Sequence, residues 1–318
     1  MTALSPLFAD AVPDVLRVGP TGLSHISLFG TSGVGKTQLL INICRHRLAN
    51  PAWGLHVLDV EGDITPAAVE AARNPANRFP PRVIHVLRTA ADAFALPLLH
   101  VERPDPFSCC QVSVRALSIF QQVVGFGMDD YGPRLSKLFL LGTFGLALSG
   151  RPLIDLPDLY AHGVSGAHLR SLVGEAFPYQ FLSDEMRALD VLQDRTFLEY
   201  RDALASRLMP VFSNPTLRRV FGPQKPPLDI AAILRRRECV FLDLSGLEHR
   251  DSVLVGTSYV SLVFHHGLQR QPNIEPYTML MIDEAFDYLT ADLARGFDRL
   301  RKRNIQLCLA VQRLGQMQ

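Results

Sequence analysis

Gly30-Thr31-Ser32-Gly33-Val34-Gly35-Lys36-Thr37 satisfies the spacing G-x-x-x-x-G-K-[ST], in which each residue type has a physical task. Glycines let the backbone turn so tightly that successive N–H groups face one concavity, and a helix N-terminus behind that concavity adds positive potential for phosphate oxygens. Lys36 then reaches the outer phosphates of a polyphosphate and the Thr37 hydroxyl ligates Mg²⁺. A second element suits the same chemistry. Leu280-Met281-Ile282 runs straight into Asp283-Glu284, and phosphoryl transfer to water needs one carboxylate beside the metal and another to polarise the nucleophile. Asp283 fits the first role and Glu284 the second. Apolar strands also end in acids that merely cap the next helix, and it is the upstream loop that favours the chemical reading.

Other candidates carry a bland account beside the functional one. Gln312 leaves the run Ile305 to Val311, where an amide can sense a γ-phosphate or simply end a strand. Arg295, Arg299, Arg301, Lys302 and Arg303 form the densest basic cluster; one arginine can reach a neighbouring subunit's γ-phosphate or a DNA phosphate, or the group is the solvated end of a helix. Asp59-Val60-Glu61-Gly62 fits D-x-x-G and raises a GTPase as rival, but no Asn-Lys-x-Asp guanine-reading element occurs. Asp59 and Asp63 equally suit a capped turn. His265-His266 and the other histidines lack metal-site spacing, and Arg235-Arg236-Arg237 reads as an exposed helix end.

These residues need a frame that brings them together. Ile26 to Phe29 reads as a buried strand before the loop and Gln38 to Leu48 as the helix after it; further strands are expected at 54–58, 82–87, 239–244, 278–283 and 305–311. Continuous apolar runs alternating with helices imply an α/β fold with a mostly parallel sheet and helices on both faces. From about Val112 to Arg219 apolar residues recur at helical spacing, as in Leu117, Phe120 and Val124. The expected organisation is therefore a core split over 1–110 and 221–318, interrupted by an all-helical insertion at 111–220.

Composition permits this and excludes other classes. The 318 residues are 47% hydrophobic, enough for a sizeable core, and 32 basic against 31 acidic residues give a net charge of +1. No global field draws the chain to DNA or to an acidic membrane. Cys44, Cys109, Cys110, Cys239 and Cys308 lack zinc spacing and read as reduced core residues of a cytosolic protein. Met1 to Pro20 has no signal-peptide character, and Leu135 to Leu148, interrupted by Lys137, reads as a buried helix instead of a membrane span.

The ordered set of Gly30 to Thr37, Asp59 to Asp63, Asp283-Glu284, and Arg301-Lys302-Arg303-Asn304-Ile305 leading to Gln312 resembles the FtsK/HerA superfamily of P-loop motor ATPases. It is most similar to the conjugation and type IV secretion branch, the TraD-like coupling proteins. Tyr131 to Arg134, Pro215 to Gly222 and Phe241 to Ser245 extend the resemblance over roughly residues 20 to 315. It implies a RecA-like core, ATP and Mg²⁺ as ligands, a hexameric ring, and ATP-driven movement of DNA or its delivery to a membrane-bound secretion or conjugation partner. It also implies a cytoplasmic location, peripheral at the inner face of the membrane, with Gln312 as sensor and Arg301 near an intersubunit ATP site. The chain ends six residues after Gln312, where such motors continue; a minimal motor, a truncated reading frame and a fragment are the expectations. The alternative activity is a nucleotide-gated assembly factor that hydrolyses slowly and moves nothing.

Overall fold

The computed structural model describes residues 23–31, 33–89, 94–125, 132–161, 163–191, 195–222, 228–272, 276–289 and 296–311. They fall into two compact units, one of Met1–Arg88, Ile230–Gly246 and Val263–Gln318, the other of Thr89–Asp229 and Leu247–Leu262.

The first unit is built on six strands: β1 (Ile26–Phe29), β2 (Trp53–Asp59), β3 (Ile84–Arg88), β4 (Cys239–Asp243), β5 (Tyr277–Ile282) and β6 (Ile305–Val311). They form one all-parallel sheet in the order β1-β6-β5-β2-β4-β3. Every residue of β2 and of β6 is buried, which is why these strands are unbroken apolar runs and not alternating ones. Helices α1 (Lys36–Ala49) and α2 (Ile64–Arg73) share a core with Leu55, Val57, Cys239, Phe241, Met279, Met281, Cys308 and Ala310. Residues in the opposite phase, such as Leu58, Leu280 and Leu307, are buried on the other face.

α1 is anchored at its far end. Arg47, 1% exposed, lays its guanidinium 3.6 Å from the Trp53 ring centroid and donates to Gln306 Oε1 at 2.8 Å. Gln306 Nε2 in turn donates to the Ser24 carbonyl at 2.7 Å. The cation is thus compensated by a ring face and an amide, and it fastens the helix behind the glycine loop to β2 and β6.

In the second unit, helices α3 (Pro106–Val124), α4 (Gly132–Leu148), α5 (Leu156–Leu159), α6 (Val164–Ala176), α7 (Gln180–Val191), α8 (Arg195–Phe212) and α9 (Pro215–Val220) follow one another without a described strand. Asp105 caps α3 by accepting from the N–H groups of Phe107 and Ser108, both at 3.0 Å, with Pro106 at the first turn. Phe120, Phe139 and Phe212 form its aromatic centre. The apolar stretch Leu135 to Leu148 is the inner part of α4, with Leu135, Phe139 and Leu146 fully buried; no described helix is long and apolar enough to cross a membrane. α10 (Ile230–Arg236) returns the chain to the sheet, and α11 (His249–Leu268) gives its residues through Leu262 to the second unit and the rest to the first. One expectation fails: Cys110 is exposed, while the other four cysteines are buried. It lies beside Cys109 on α3, and one step of 100° turns it out of the core face.

Two glycines inside helices separate propensity from packing. A Cβ on Gly145 in α4 would lie 2.1 Å from Val173 Cγ1, whereas one on Gly174 in α6 meets nothing closer than 3.9 Å. Gly145→Ala is therefore expected to lower stability by about 1–3 kcal/mol, overpacking outweighing the helix gain. Gly174→Ala is expected to raise it by about 0.5–1 kcal/mol. Urea-denaturation midpoints read both signs.

Candidate functional site

The glycine loop turns immediately after β1. Gly30 N–H donates to the Val311 carbonyl at 3.4 Å, and the backbone then passes through left-handed conformations at Gly33 (φ 82°) and Gly35 (φ 93°) before α1 begins at Lys36. A Cβ on Gly30 would lie 2.7 Å from Val34 Cγ2, so a larger residue there would have to push the exposed Val34 side chain aside. The first turn of α1 holds no acidic residue, which leaves its N-terminal N–H groups available to an anion. Lys36 Nζ donates to the Gly30 carbonyl at 2.5 Å and to that of Thr31 at 3.0 Å, so the ammonium lies across the loop. Thr37 is half-buried in the first helical turn. Ser32 and Gln312 lie outside the described residues.

The acids leave the same edge of the sheet. Strand alternation puts Asp59, Asp243 and Asp283 in phase with Val57, Phe241 and Met281, on the face that α1 and α2 cover. Asp283 is 7% exposed, and its N–H donates to the Leu58 carbonyl at 3.2 Å. Burial, with the charges of Glu284 and Asp59 added, pushes its carboxyl up to about 6, against the pull of Lys36. Glu284 follows in a left-handed conformation (φ 54°, ψ 43°), its N–H donating to Asp283 Oδ1 at 3.1 Å. For a non-glycine residue this costs about 1–3 kcal/mol, a strain typical of functional turns.

Asp59 has the organising role. Its Oδ1 accepts from Gly62 N–H at 3.0 Å and its Oδ2 from Thr65 N–H at 2.7 Å, tying the β2 exit to the start of α2. With both oxygens on main-chain amides, Asp59 is the cap of a turn, and the D-x-x-G pattern has a structural explanation. Asp243 was not singled out from the sequence as part of this edge. It lies opposite Asp59 in the register and helps to push the Asp59 carboxyl up, after burial. The available signal was the shared pattern: three apolar strands, β2, β4 and β5, each running into aspartate.

β6 lies between β1 and β5, so the loop and Asp283 stand two strand spacings apart, about 10 Å. Among the described residues no three acid, histidine or cysteine side chains close a metal cage. This donor set suits Mg²⁺, which takes one or two protein oxygens and completes its shell with phosphate and water; Thr37 and Asp283 are the residues that could supply them. Arg301 is not part of this assembly. It is exposed at the end of helix Phe297–Arg301, before β6 starts, about 20 Å or more along the strand from the loop edge.

No protein-family model matches the chain, and no curated protein matches it in sequence. Solved structures do match. The bacterial conjugative coupling protein TrwBdeltaN70 in its unbound form is 15% identical with a TM-score of 0.61, over 92% of this chain and 63% of that one. The plasmid coupling protein TrwB in complex with ADP and Mg²⁺ is 17% identical with a TM-score of 0.61, over 92% and 65%. VirB4 of Thermoanaerobacter pseudethanolicus is 13% identical with a TM-score of 0.58, over 96% and 74%. The chain thus has the RecA-like P-loop fold of these proteins and spans less than two thirds of the TrwB chains.

Because the Asp283 carboxyl sits at about 6 instead of its ordinary 3.8, its charge is tolerated less well in the fold than in the unfolded chain. The fold is relieved of this below pH 4 and carries a penalty of up to about 3 kcal/mol once pH has risen through 6. Asp283→Asn is expected to be more stable than the parent at pH 7.5 and equal to it near pH 4, as measured by denaturant titration at both pH values.

Proposed function

We propose that this chain is an ATP-hydrolysing motor subunit of the FtsK/HerA type that acts in DNA transfer. The observation that carries the reading is the meeting of the glycine loop and Asp283-Glu284 at one edge of a parallel sheet. A coupling protein of the same fold is solved with ADP and Mg²⁺, with an ATP analogue and with a GTP analogue, which supports a nucleotide and Mg²⁺ as ligands; the absence of an Asn-Lys-x-Asp element favours ATP.

The loop N–H groups and Lys36 hold the β- and γ-phosphates, and Thr37 and Asp283 hold the metal. Bound Mg²⁺ supplies charge neutralisation for the transferring phosphoryl group. Glu284, fixed by its strained backbone beside Asp283, orients water for in-line attack and accepts its proton. Gln312, which follows β6 in sequence and lies outside the described residues, is assigned as sensor. Arg301, far from its own loop, is assigned to a neighbour's ATP in a ring of copies, with a hexamer as the assembly. DNA is the moved substrate, and the chain works at the inner face of the membrane with a membrane-bound partner.

Lys36→Ala is expected to abolish turnover. Glu284→Gln is expected to retain ATP binding while hydrolysis falls by about 10²–10⁴-fold, as read by phosphate release beside binding of a fluorescent ATP analogue. Unchanged hydrolysis in Glu284→Gln removes the base assignment. DNA is expected to stimulate the parent severalfold, and turnover indifferent to DNA replaces the motor by a nucleotide-gated assembly factor.

A further inference from the structure

The amino-terminal edge of the sheet, opposite the loop and acids, has a charge pattern of its own. Arg235, Arg236 and Arg237 stand before β4 and Arg82 before β3, and these strands are neighbours, with Ile84 opposite Cys239. The four arginines line one open cleft of about 450 Å³ together with Pro51, Pro81, Val83 and Glu238.

The cleft is built and not merely charged. Arg82 is pinned by donating to the carbonyls of Asn50 at 2.9 Å, Arg237 at 2.7 Å, and Trp53. Those carbonyls satisfy its N–H groups without neutralising its charge. Arg237 holds a left-handed backbone (φ 59°), and its Cα comes so close to β2 that a Cβ on Gly54 would lie 3.3 Å away. The single acid, Glu238, is shared between His85 Nε2 at 2.6 Å and Arg236 at 3.7 Å. Among the described residues no carboxylate pairs with Arg82, Arg235 or Arg237. Complementing the dipole of α10 accounts for Arg235 and Arg236, at about 0.3–1 kcal/mol each. It accounts for neither Arg82, which comes from another segment, nor the strained Arg237.

We propose that this cleft binds the phosphate backbone of nucleic acid. Arginine forks suit phosphate oxygens in pairs. Basic residues recur on this edge at Lys302 and Arg303 before β6, three strand spacings from β4 or about 14 Å. A duplex presents a phosphate about every 3.4 Å of rise on each strand, so such a track spans several of them. A lipid surface would need a large apolar anchor beside the cations, and the apolar lining of the cleft is Pro51, Pro81 and Val83, with no aromatic or leucine side chain among them. The site lies on the edge opposite the phosphate loop, so nucleotide and nucleic acid do not compete. The proposed function enters only in choosing nucleic acid among polyanions.

The test is fluorescence anisotropy of a labelled DNA duplex over a salt series, with a fluorescent ATP analogue titrated in parallel. Arg235→Ala/Arg236→Ala, both exposed positions, is expected to bind the duplex at least about tenfold more weakly, with a log–log salt slope shallower by about 2, and to bind the ATP analogue like the parent. Arg235→Lys/Arg236→Lys is expected to keep most of the affinity, and Arg236→Glu to lose it. Parental affinity and slope in the alanine variant, or no duplex binding by the parent, overturn the proposal. So does a parent that prefers polyglutamate or phosphatidylserine vesicles and loses that binding in the same variant. Arginine-dependent duplex binding without nucleotide binding overturns the proposed function and leaves this site standing.

Discussion

The common polarity of six strands buried between layers governs the rest of this molecule. A parallel sheet needs a crossover after each strand and cover on both faces, so its strands must be apolar through their length. Residues with chemistry are thereby driven to the strand ends, and parallel pairing collects all exits on one edge. β2, β4 and β5 each run into aspartate there, and β1 into the glycine loop. The few polar groups admitted to the interior are tied to neighbours: Arg47 to Trp53 and Gln306, and Arg270 to the Leu234 and Pro276 carbonyls and to Thr278 Oγ1. The first of these ties fixes the far end of α1, so the helix that presents its N-terminus to the loop is held at both ends.

At that edge the chain uses left-handed backbone by different means, at glycines, Gly62 after β2 among them, and at Glu284. The loop takes it at Gly33 and Gly35, where no side chain opposes it. Glu284 takes it against a side-chain penalty, and is kept there by the Asp283 N–H to Leu58 bond on one side and the start of the 3₁₀ turn Ala285–Tyr288 on the other. Glycine at 284 would relax the backbone and remove the carboxylate. Strain is retained where the residue type cannot be surrendered, which is the physical reason to connect this conformation with chemistry.

The strands were legible because burial on both faces writes itself as unbroken apolar runs; each of the six expected segments overlaps an observed strand. Boundaries moved for local reasons. β3 starts at Ile84, two residues later than expected, because Arg82 is drawn out of the ladder by three carbonyls. α3 starts at Pro106, ahead of the helical spacing seen from Val112, because Asp105 and Pro106 nucleate it with a cap that periodicity does not register. Loop and acid pair were legible from spacing alone. Strand order was not, since the placement of β6 between β1 and β5 depends on pairings hundreds of residues apart. With it were hidden the neighbourhood of Asp59 and Asp243 and the exile of Arg301 from its own loop.

A net charge of +1 conceals two edges of opposite sign. The exit edge gathers Asp59, Asp243, Asp283 and Glu284, while the entry edge gathers Arg82, Arg235 to Arg237 and Arg301 to Arg303. Taken alone, the acids would repel the polyphosphate that the loop is shaped to hold, and the raised carboxyl of Asp283 records their crowding. Lys36 offsets one of these charges and the α1 N-terminus about half of another, which leaves the edge acidic. A divalent cation reverses the balance, attracted by the acids and attracting phosphate in turn. The entry edge needs no such mediator, because its arginines outnumber Glu238, and Arg235, Arg236, Arg237 and Arg301 are exposed. On the two proposals, one edge of the sheet takes an anion through a metal and the other without one, and only binding at the second should weaken in simple proportion to the logarithm of salt.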